Sequence, residues 1–136
     1  MQQTMIRAQV KLMFAWALGR RMAEIINDNS EATQKMLGEI WCYAEFTRSA
    51  ITNSEAEASA HGDNFWTPSA PPLHALRCML PYWFPKVSEY LKLIGSHYMF
   101  SAPRAASIND PEMKHLIDLY LGGTANVTAE QRAQIF

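Results

Sequence analysis

Two long segments of helical periodicity, separated only by a polar cluster, constrain the fold of this chain most strongly. From Thr4 to about Ile26 apolar residues recur at helical spacing, which predicts a first helix. The cluster at 27–30, Asn-Asp-Asn-Ser, interrupts this pattern because such side chains compete for backbone hydrogen bonds. It can also start a second helix, with either Asp28 or Ser30 as the N-cap. A helical corner is therefore expected.

The first helix carries apolar side chains around nearly its whole circumference. Its main apolar positions keep helical spacing, and they are Ile6, Val10, Phe14, Ala17 and Met22. Further apolar surface comes from Leu12, Met13 and Trp16. A helix that is apolar all round is typically a buried one, so we expect this helix to be buried.

The second helix is expected to start with Glu31 in its first turn and to run to His61. That span is about 30 residues, or about 45 Å at the rise of an α-helix. Its predicted buried face contains Leu37, Ile40, Trp41, Ala44, Thr47, Ile51 and Ala58. Two antiparallel helices of this length form one side of a helical bundle.

The middle of the chain is divided by glycine and proline. Gly62 and Asp63 are predicted to end the second helix, and the proline-rich stretch 67–72 is predicted to be a non-helical loop. A short helix is expected over 73–80, and Pro85 suits the first turn of a third long helix that Gly95 would cap. No pair of strands joined by a tight turn is expected.

The C-terminal part contains two clear helix starts. Asp110-Pro111 places an N-cap before a proline at the first helical position, and Gly122-Gly123 would close that helix after Leu121. Thr128 followed by Gln131 is a capping box that opens one more helix. The stretch 97–104 is ambiguous. These patterns predict an all-α fold, a long-helix up-and-down bundle within one domain.

Composition excludes several classes of function. Twelve basic and thirteen acidic residues give a net charge of -1, so no basic surface for a nucleic-acid backbone is expected. The apolar run 12–18 is too short to span a bilayer. Cys42 and Cys78 lack the spacing of a metal site or a disulfide framework, which favours a reduced, cytoplasmic location. Eight Met and four Trp indicate contact surface beyond the chain's own core.

Few residues have the spacing of a metal or nucleophile site. Glu112-x-x-His115 has the spacing of a di-iron bundle motif, but only one copy exists and Glu112 also suits the first turn of a helix. The remaining histidines do not have the sequence spacing of zinc ligands, and they are His61, His74 and His97. The neighbouring glycines that are typical of a nucleophilic serine are absent around Ser49, Ser54 and Ser59. A structural role is favoured for all of these, and a metal-binding bundle remains a minor alternative.

Charged and aromatic side chains leave further alternatives open. Acid/base pairs or a solvated face could be formed by Glu39, Glu45, Glu55 and Glu57, and the solvated face is favoured. A cofactor phosphate could be reached by Arg7, Lys11, Arg20 and Arg21, although these residues also suit the flanks of a buried helix. Core or subunit contacts are favoured over a stacking platform for Trp16, Trp41 and Trp83.

Ordered motifs along the whole chain add a family resemblance. In the first half they are Gln3-Thr4, Arg7, Lys11-Leu12, Gly19-x-x-Met22-Ala23-Glu24, Leu37-Gly38-Glu39-Ile40, Glu45-x-x-Arg48-x-x-Ile51 and Ser54-Glu55-Ala56-Glu57-Ala58. In the second half they are Pro72-Leu73-x-Ala75-x-Arg77, Pro81-x-x-Phe84-Pro85, Leu93-x-Gly95, Pro103 and Ile117-Asp118-x-Tyr120-Leu121. Their order and spacing resemble the oxygenase family of 4-hydroxyphenylacetate 3-monooxygenase.

This resemblance implies a fold like the C-terminal helical bundle of acyl-CoA dehydrogenases, present here as an incomplete domain over residues 1–136. It implies a flavin-dependent monooxygenase that hydroxylates a phenol with O2 and reduced FAD from a separate reductase. It also implies a homo-oligomer, a tetramer in the family. By the looser dehydrogenase analogy, the corner 27–34 would approach the FAD of a neighbouring subunit.

The resemblance assigns no catalytic, metal or cofactor-binding residue to this chain, because the family's phenol and flavin contacts lie mostly in domains that it does not match. The expected function is therefore bundle packing and subunit contact, and the chain alone is expected to be inactive. A non-catalytic, self-associating helical module is the alternative.

Overall fold

The computed structural model describes residues 1–62, 65–122 and 127–136. Its elements are α1 (Gln2–Ile26), α2 (Glu31–Ala56), β1 (Ser59–His61), β2 (Phe65–Thr67), α3 (Ala70–Gly95), a 3-10 helix (Ser96–Met99), α4 (Ala105–Ile108), α5 (Pro111–Leu121) and α6 (Ala129–Ala133). The predicted all-α class is confirmed. In the described residues no helix is long and apolar enough to cross a membrane. The helix ends predicted at Asp63 and Gly123 lie outside the described residues.

The chain divides into two compact units, and each contains part of all three long helices. Unit 1 comprises Met1–Trp16 and Gly38–Glu89, and unit 2 comprises Ala17–Leu37 and Tyr90–Phe136. Each long helix therefore contributes one of its ends to each unit.

In unit 1, α1 and α2 run antiparallel, as the predicted up-and-down topology requires. Gln2, at the start of α1, donates a hydrogen bond to the carboxylate of Glu55, near the end of α2. Trp16, the last residue of α1 in this unit, lies 4.8 Å from Trp41 between ring centroids. Early residues of one helix thus contact late residues of the other.

The α2 and α3 segments of unit 1 are antiparallel as well. Lys86 of α3 forms an ion pair with Glu39 of α2. At the opposite end of these segments, Ser54 and Ser69 exchange two hydrogen bonds: the Ser54 hydroxyl donates to the Ser69 carbonyl at 2.6 Å, and the Ser69 amide donates to the Ser54 carbonyl at 2.9 Å. Ser54 is fully buried, so this pair fixes the end of α2 against the start of α3.

The buried side of α2 agrees largely with the prediction. Within the predicted face the buried residues are Leu37, Ile40, Ala44, Thr47 and Ile51. Trp41 is 39% exposed, and Ala58 lies beyond the end of the helix.

The prediction that α1 is buried all round was wrong. Leu12 and Met22 are buried, but Ile6, Val10 and Phe14 are exposed. The spacing of apolar residues shows which sides of a helix are apolar, but it does not show which of these sides other parts of the chain bury. The buried side of α1 in unit 1 is formed instead by Met5, Ala8, Leu12 and Ala15.

The predicted extension of α2 to His61 was also wrong, as was the prediction that no strand pair exists. The helix ends at Ala56, and β1 pairs with β2 in an antiparallel hairpin in which Ser59 faces Thr67. Phe-Trp-Thr in β2 has high strand propensity, and Gly62 adopts the positive φ of 70° that the turn requires. Pairing with β2 outweighs the helical propensity of the residues in β1.

The prolines do not divide the third helical region as predicted. α3 runs without a break from Ala70 to Gly95, with Pro81 and Pro85 inside it. At its start the 70–72 segment is helical because a first turn needs no amide donors. The two internal prolines leave the carbonyls of residues 77 and 81 without their helical donors, and both of these residues are exposed, so water can satisfy them.

In unit 2, the helices approach one another closely at Gly95. The helix ends at this glycine as predicted, but the left-handed residue of the turn is Ser96, with a φ of 46°. A β-carbon at Gly95 would lie 2.5 Å from the Met99 side chain and 2.6 Å from the terminal methyl group of Met22. A side chain at this position would therefore force the Met22 and Met99 side chains to move.

The predicted helix starts in the C-terminal region are confirmed. The Asp110 side chain accepts a hydrogen bond from the Glu112 amide, and Pro111 occupies the first turn of α5. Thr128 and Gln131 form both hydrogen bonds of the capping box at the start of α6. The ambiguous stretch before α5 contains the 3-10 helix and α4.

Substitution of two glycines with alanine is expected to have opposite effects on stability. Gly95→Ala should lower the free energy of unfolding by about 1–3 kcal/mol, because Met22 and Met99 must shift. Gly38→Ala should raise it by about 0.5–1 kcal/mol, since this exposed helical position has open space around it and alanine favours the helix. Urea denaturation followed by circular dichroism measures both values. Equal effects of the two substitutions would contradict the close packing at Gly95.

Candidate functional site

The corner between α1 and α2 was the part of the chain that the fold analogy placed near a flavin. Its first half is a helix-terminating motif in unit 2. Asn27 adopts a left-handed conformation with a φ of 54°. Its amide donates to the Glu24 carbonyl, and the Asp28 amide donates to the Ala23 carbonyl at 2.9 Å. This is the Schellman pattern, in which asparagine can replace the usual glycine.

The second half of the corner starts α2. Ser30 is the N-cap, because its hydroxyl accepts a hydrogen bond from the Thr33 amide at 3.3 Å. Asp28 supports this cap by accepting from the Ser30 amide at 2.9 Å and from the Thr33 hydroxyl at 2.6 Å. These bonds, that from the Thr33 hydroxyl above all, hold the pKa of Asp28 below its ordinary value.

The corner does not fit the diphosphate of a flavin nucleotide. Both carboxylate oxygens of Asp28 are used within the turn, and they place a negative charge at the start of α2. Glu31, in the first turn of α2, is a second acidic residue close to Asp28 in sequence. An incoming diphosphate would be repelled by these two groups at the helix end that otherwise favours anions. The Asp28 carboxylate is thus occupied by hydrogen bonds within the turn.

The paired arginines before the corner form ion pairs within α1. Arg20 contacts the Glu24 carboxylate at 2.9 Å and Arg21 contacts it at 3.4 Å. The hydrogen bond from Arg20 is the main reason that the pKa of Glu24 lies below its ordinary value. All three side chains are about half exposed, so these pairs stabilise the helix only slightly.

A more buried cluster joins α2 and α3 in unit 1. The Tyr43 ring stacks on Trp83, with a centroid separation of 4.8 Å and an interplanar angle of 8°. The Tyr43 hydroxyl and the Lys86 ammonium both donate to the carboxylate of Glu39. Burial, followed by the neighbouring Glu39, raises the pKa of the Tyr43 phenol. The phenol thus remains protonated, and the cluster stabilises the contact between the helices.

Two more of the acidic residues considered for acid/base work, Glu45 of α2 and Glu57 just beyond its end, contact neighbouring polar groups. Glu45 pairs with Arg48, and this contact lowers the pKa of the carboxyl group. Glu57 accepts a hydrogen bond from Ser69 at 3.2 Å. Their placement fits the solvated face favoured from the sequence.

Most of the residues considered as metal or nucleophile candidates are exposed, and Ser54 is the exception among them. Glu112 and His115 are both exposed on α5. The described residues contain no group of three or more His, Cys, Asp or Glu side chains able to hold a metal ion. The other histidines are exposed too, and they are His61, His74 and His97. Ser54 is buried, and its hydroxyl is used by the Ser69 carbonyl.

Arg132 is a buried charged residue that the sequence analysis missed. It is only 9% exposed and donates hydrogen bonds to the carbonyls of Leu121 and Gly122, at 2.9 and 3.1 Å. Its guanidinium lies 4.1 Å from the centre of the Tyr98 ring. A cation at the end of α5 satisfies carbonyls that lack helical donors. Arg132 thus connects α6 to α5, a contact that local sequence spacing does not reveal.

Comparison with known proteins gives the chain a family context. A family model described as "HpaB: 4-hydroxyphenylacetate 3-hydroxylase C terminal" matches residues 1–136. A relative from Bacillus subtilis (strain 168), named "Probable 4-hydroxyphenylacetate 3-monooxygenase", is 29% identical over 135 residues. That match covers 98% of this chain and 28% of the relative.

Solved structures give the same picture for the fold. The oxygenase component (HpaB) of 4-hydroxyphenylacetate 3-monooxygenase complexed with FAD matches with a TM-score of 0.91 and 24% identity. The same component complexed with FAD and 4-hydroxyphenylacetate gives equal values. Each match covers 98% of this chain and 28% of the solved one, so the chain spans little more than a quarter of these proteins. Because the family model covers its whole length, the chain belongs to the 4-hydroxyphenylacetate 3-hydroxylase C-terminal family.

Proposed function

We propose that this chain is the C-terminal helical part of a two-component, flavin-dependent monooxygenase that hydroxylates a phenolic substrate. The observation that carries the proposal is the family match over residues 1–136. The fold supports it, because the TM-score of 0.91 is to an oxygenase component complexed with FAD. Residues 1–136 would form an incomplete C-terminal helical domain of that enzyme.

In this proposal the chain contributes packing and leaves the chemistry to other parts of the enzyme. Bound reduced FAD would supply the electrons that activate O2 for transfer of one oxygen atom to the phenol. The corner near residue 28 does not fit the flavin diphosphate, and the Tyr43 phenol is engaged with Glu39. The chain alone is therefore expected to lack hydroxylase activity.

The proposed partners follow from the same family. A separate flavin reductase would supply reduced FAD, and the enzyme would act in the cytoplasm as a homo-oligomer, with four subunits as in the family. The resemblance and composition favour neither nucleic acid nor a membrane as a partner. Which phenol is hydroxylated depends on residues that the family places in other domains.

A chimera tests the proposed role in the enzyme. The matched segment of the Bacillus subtilis relative would be replaced by residues 1–136 of this chain. The chimera is expected to bind FAD and to hydroxylate 4-hydroxyphenylacetate when reduced FAD is supplied, whereas the isolated chain should do neither. Flavin fluorescence titration measures binding, and chromatography of the hydroxylated product measures activity.

The control is the relative with the matched segment deleted, which should bind no FAD. Circular dichroism and sedimentation verify that the chimera is folded and assembled. A folded, assembled chimera without FAD binding would contradict the proposed function. Saturable FAD binding by the isolated chain would contradict the conclusion that the site lies mainly elsewhere.

A non-catalytic, self-associating helical module is a second candidate, and α5 provides the observation that favours it. Ile117 is the buried residue of this helix, whereas its exposed large apolar side chains are Met113, Leu116, Leu119 and Tyr120. These four lie on one side of the helix at spacings of three and four residues. Such a surface is typical of a protein contact. The same surface would serve as the subunit contact in the oligomeric enzyme.

Self-association through α5 is expected to depend on Leu119. The isolated chain should form oligomers in sedimentation velocity, and Leu119→Asp should weaken them by about tenfold because a charge replaces a side chain that is 69% exposed. Lys114→Asp is the control, since it places an aspartate at an exposed position on the opposite, polar side of α5. A chain that stays monomeric at high concentration would rule out this role for the surface.

A further inference from the structure

The stacked rings of Tyr43 and Trp83 are a feature that the proposed function leaves unused. Their centroids are 4.8 Å apart and their planes differ by only 8°, so the two π-systems are in direct contact between α2 and α3. Phe46 packs against the same indole, at a centroid distance of 6.4 Å. All three residues belong to unit 1, so this contact is made within the chain itself.

The Tyr43 phenol donates its hydrogen bond to a carboxylate, which can act as a base. Glu39 lies one turn earlier on α2 and accepts from both the Tyr43 hydroxyl and the Lys86 ammonium. Tyr43 is only 9% exposed, and further protein packed against unit 1 would bury it more deeply. A phenol becomes strongly acidic when it loses an electron, so a buried tyrosine is oxidised readily only where a base takes its proton. Glu39 is in position to do this.

Other aromatic contacts of the chain differ from this pair in what they offer for electron loss. Trp16 and Trp41 have the same centroid separation, 4.8 Å, but no phenol takes part in that pair. Tyr98 lies under a guanidinium group, 4.1 Å from its ring centre, and a nearby cation makes removal of an electron harder. The contact of Tyr43 with Trp83 thus combines a stacked indole, a shielded phenol and an adjacent base.

We propose that Trp83 and Tyr43 form a redox-active pair, in which Trp83 relays an electron and Glu39 receives the phenolic proton. A one-electron oxidant of the peroxyl-radical class takes one electron from the Trp83 indole and becomes a peroxide anion. The indole radical cation then takes one electron from Tyr43, while the phenolic proton moves to the Glu39 carboxylate. The products are a neutral indole, a neutral phenoxyl radical and a carboxylic acid, so electrons, protons and charge balance. This activity goes beyond the proposed function and needs no flavin.

Flash oxidation of the complete chain by ruthenium(III) tris-bipyridine tests the pair. Light generates this one-electron oxidant from the ruthenium(II) complex, with persulfate as the electron acceptor. Electron paramagnetic resonance of frozen samples identifies a tyrosyl radical, and transient absorption gives the rate at which it forms. Tyr43→Phe is expected to remove most of the persistent tyrosyl signal. Tyr82→Phe is the matched control and should leave that signal unchanged, since Tyr82 is next to Trp83 in sequence but 75% exposed.

Two further variants separate the electron relay from the proton acceptor. Trp83→Phe should slow formation of the Tyr43 radical several-fold, because a phenyl ring can stack but is not oxidised under these conditions. Trp41→Phe is its control, since Trp41 contacts Trp16 instead of Tyr43. Glu39→Gln keeps an oxygen that accepts the phenolic hydrogen bond but removes the base, so the radical should form about a hundredfold more slowly. In the unsubstituted chain D2O should slow the same step, because the proton moves with the electron.

Three outcomes would overturn the inference. The first is a tyrosyl signal that survives Tyr43→Phe, and the second is a rate of radical formation that Trp83→Phe leaves unchanged. The third is an unsubstituted chain that forms the radical equally fast in H2O and D2O, a comparison that holds even where Glu39→Gln proves unfolded by circular dichroism. None of these readouts involves FAD, so failure here is distinct from failure of the monooxygenase proposal.

Discussion

The close approach of the long helices at two glycines is the constraint on which unit 2 depends. A β-carbon at Gly19 would lie 3.1 Å from the side chains of both Leu37 and Leu91. The backbone of α1 is therefore packed directly against side chains of α2 and α3. At Gly95 the same restriction involves Met22 of α1. At the end of α1 the chain reverses through a Schellman turn that is followed directly by the Ser30 cap. The polar groups of the corner are used by the turn itself, which explains why it offers no ready site for a diphosphate.

Local capping chemistry made the ends of several elements predictable. Ser30, Asp110 and Thr128 each bond to an amide at the start of the helix that follows, and these bonds depend on residues within three positions. The hairpin and the uninterrupted α3 were not predictable in this way. The hairpin depends on β2, whose strand residues pair with a segment of helical composition. Continuity of α3 through its prolines depends on exposure of the freed carbonyls, which is a property of the folded structure.

The face that a helix buries is a second property that periodicity left open. α2 was predicted largely correctly because most of its apolar residues form one buried stripe, although Trp41 and Phe46 are exposed. α1 has apolar stripes on two sides, so its sequence could not show that Leu12 faces inward and Val10 outward. The candidate site was still less predictable. No individual residue had the sequence context of a catalytic group. The buried Arg132 of α6 bonds to the end of α5, and no sequence spacing predicts this contact. Function was accessible only through the order of motifs along the whole chain.

The apolar side of α5 bears on what this helix can bind. Its exposed large apolar side chains lie on one side, and they are Met113, Leu116, Leu119 and Tyr120. Lys114 and Asp118 are exposed on the opposite side of the same helix. Because these charges have opposite signs, two copies of the apolar side can meet without strong repulsion, as subunit association requires. The distribution of apolar and charged side chains on α5 therefore favours contact of this surface with a second copy of itself.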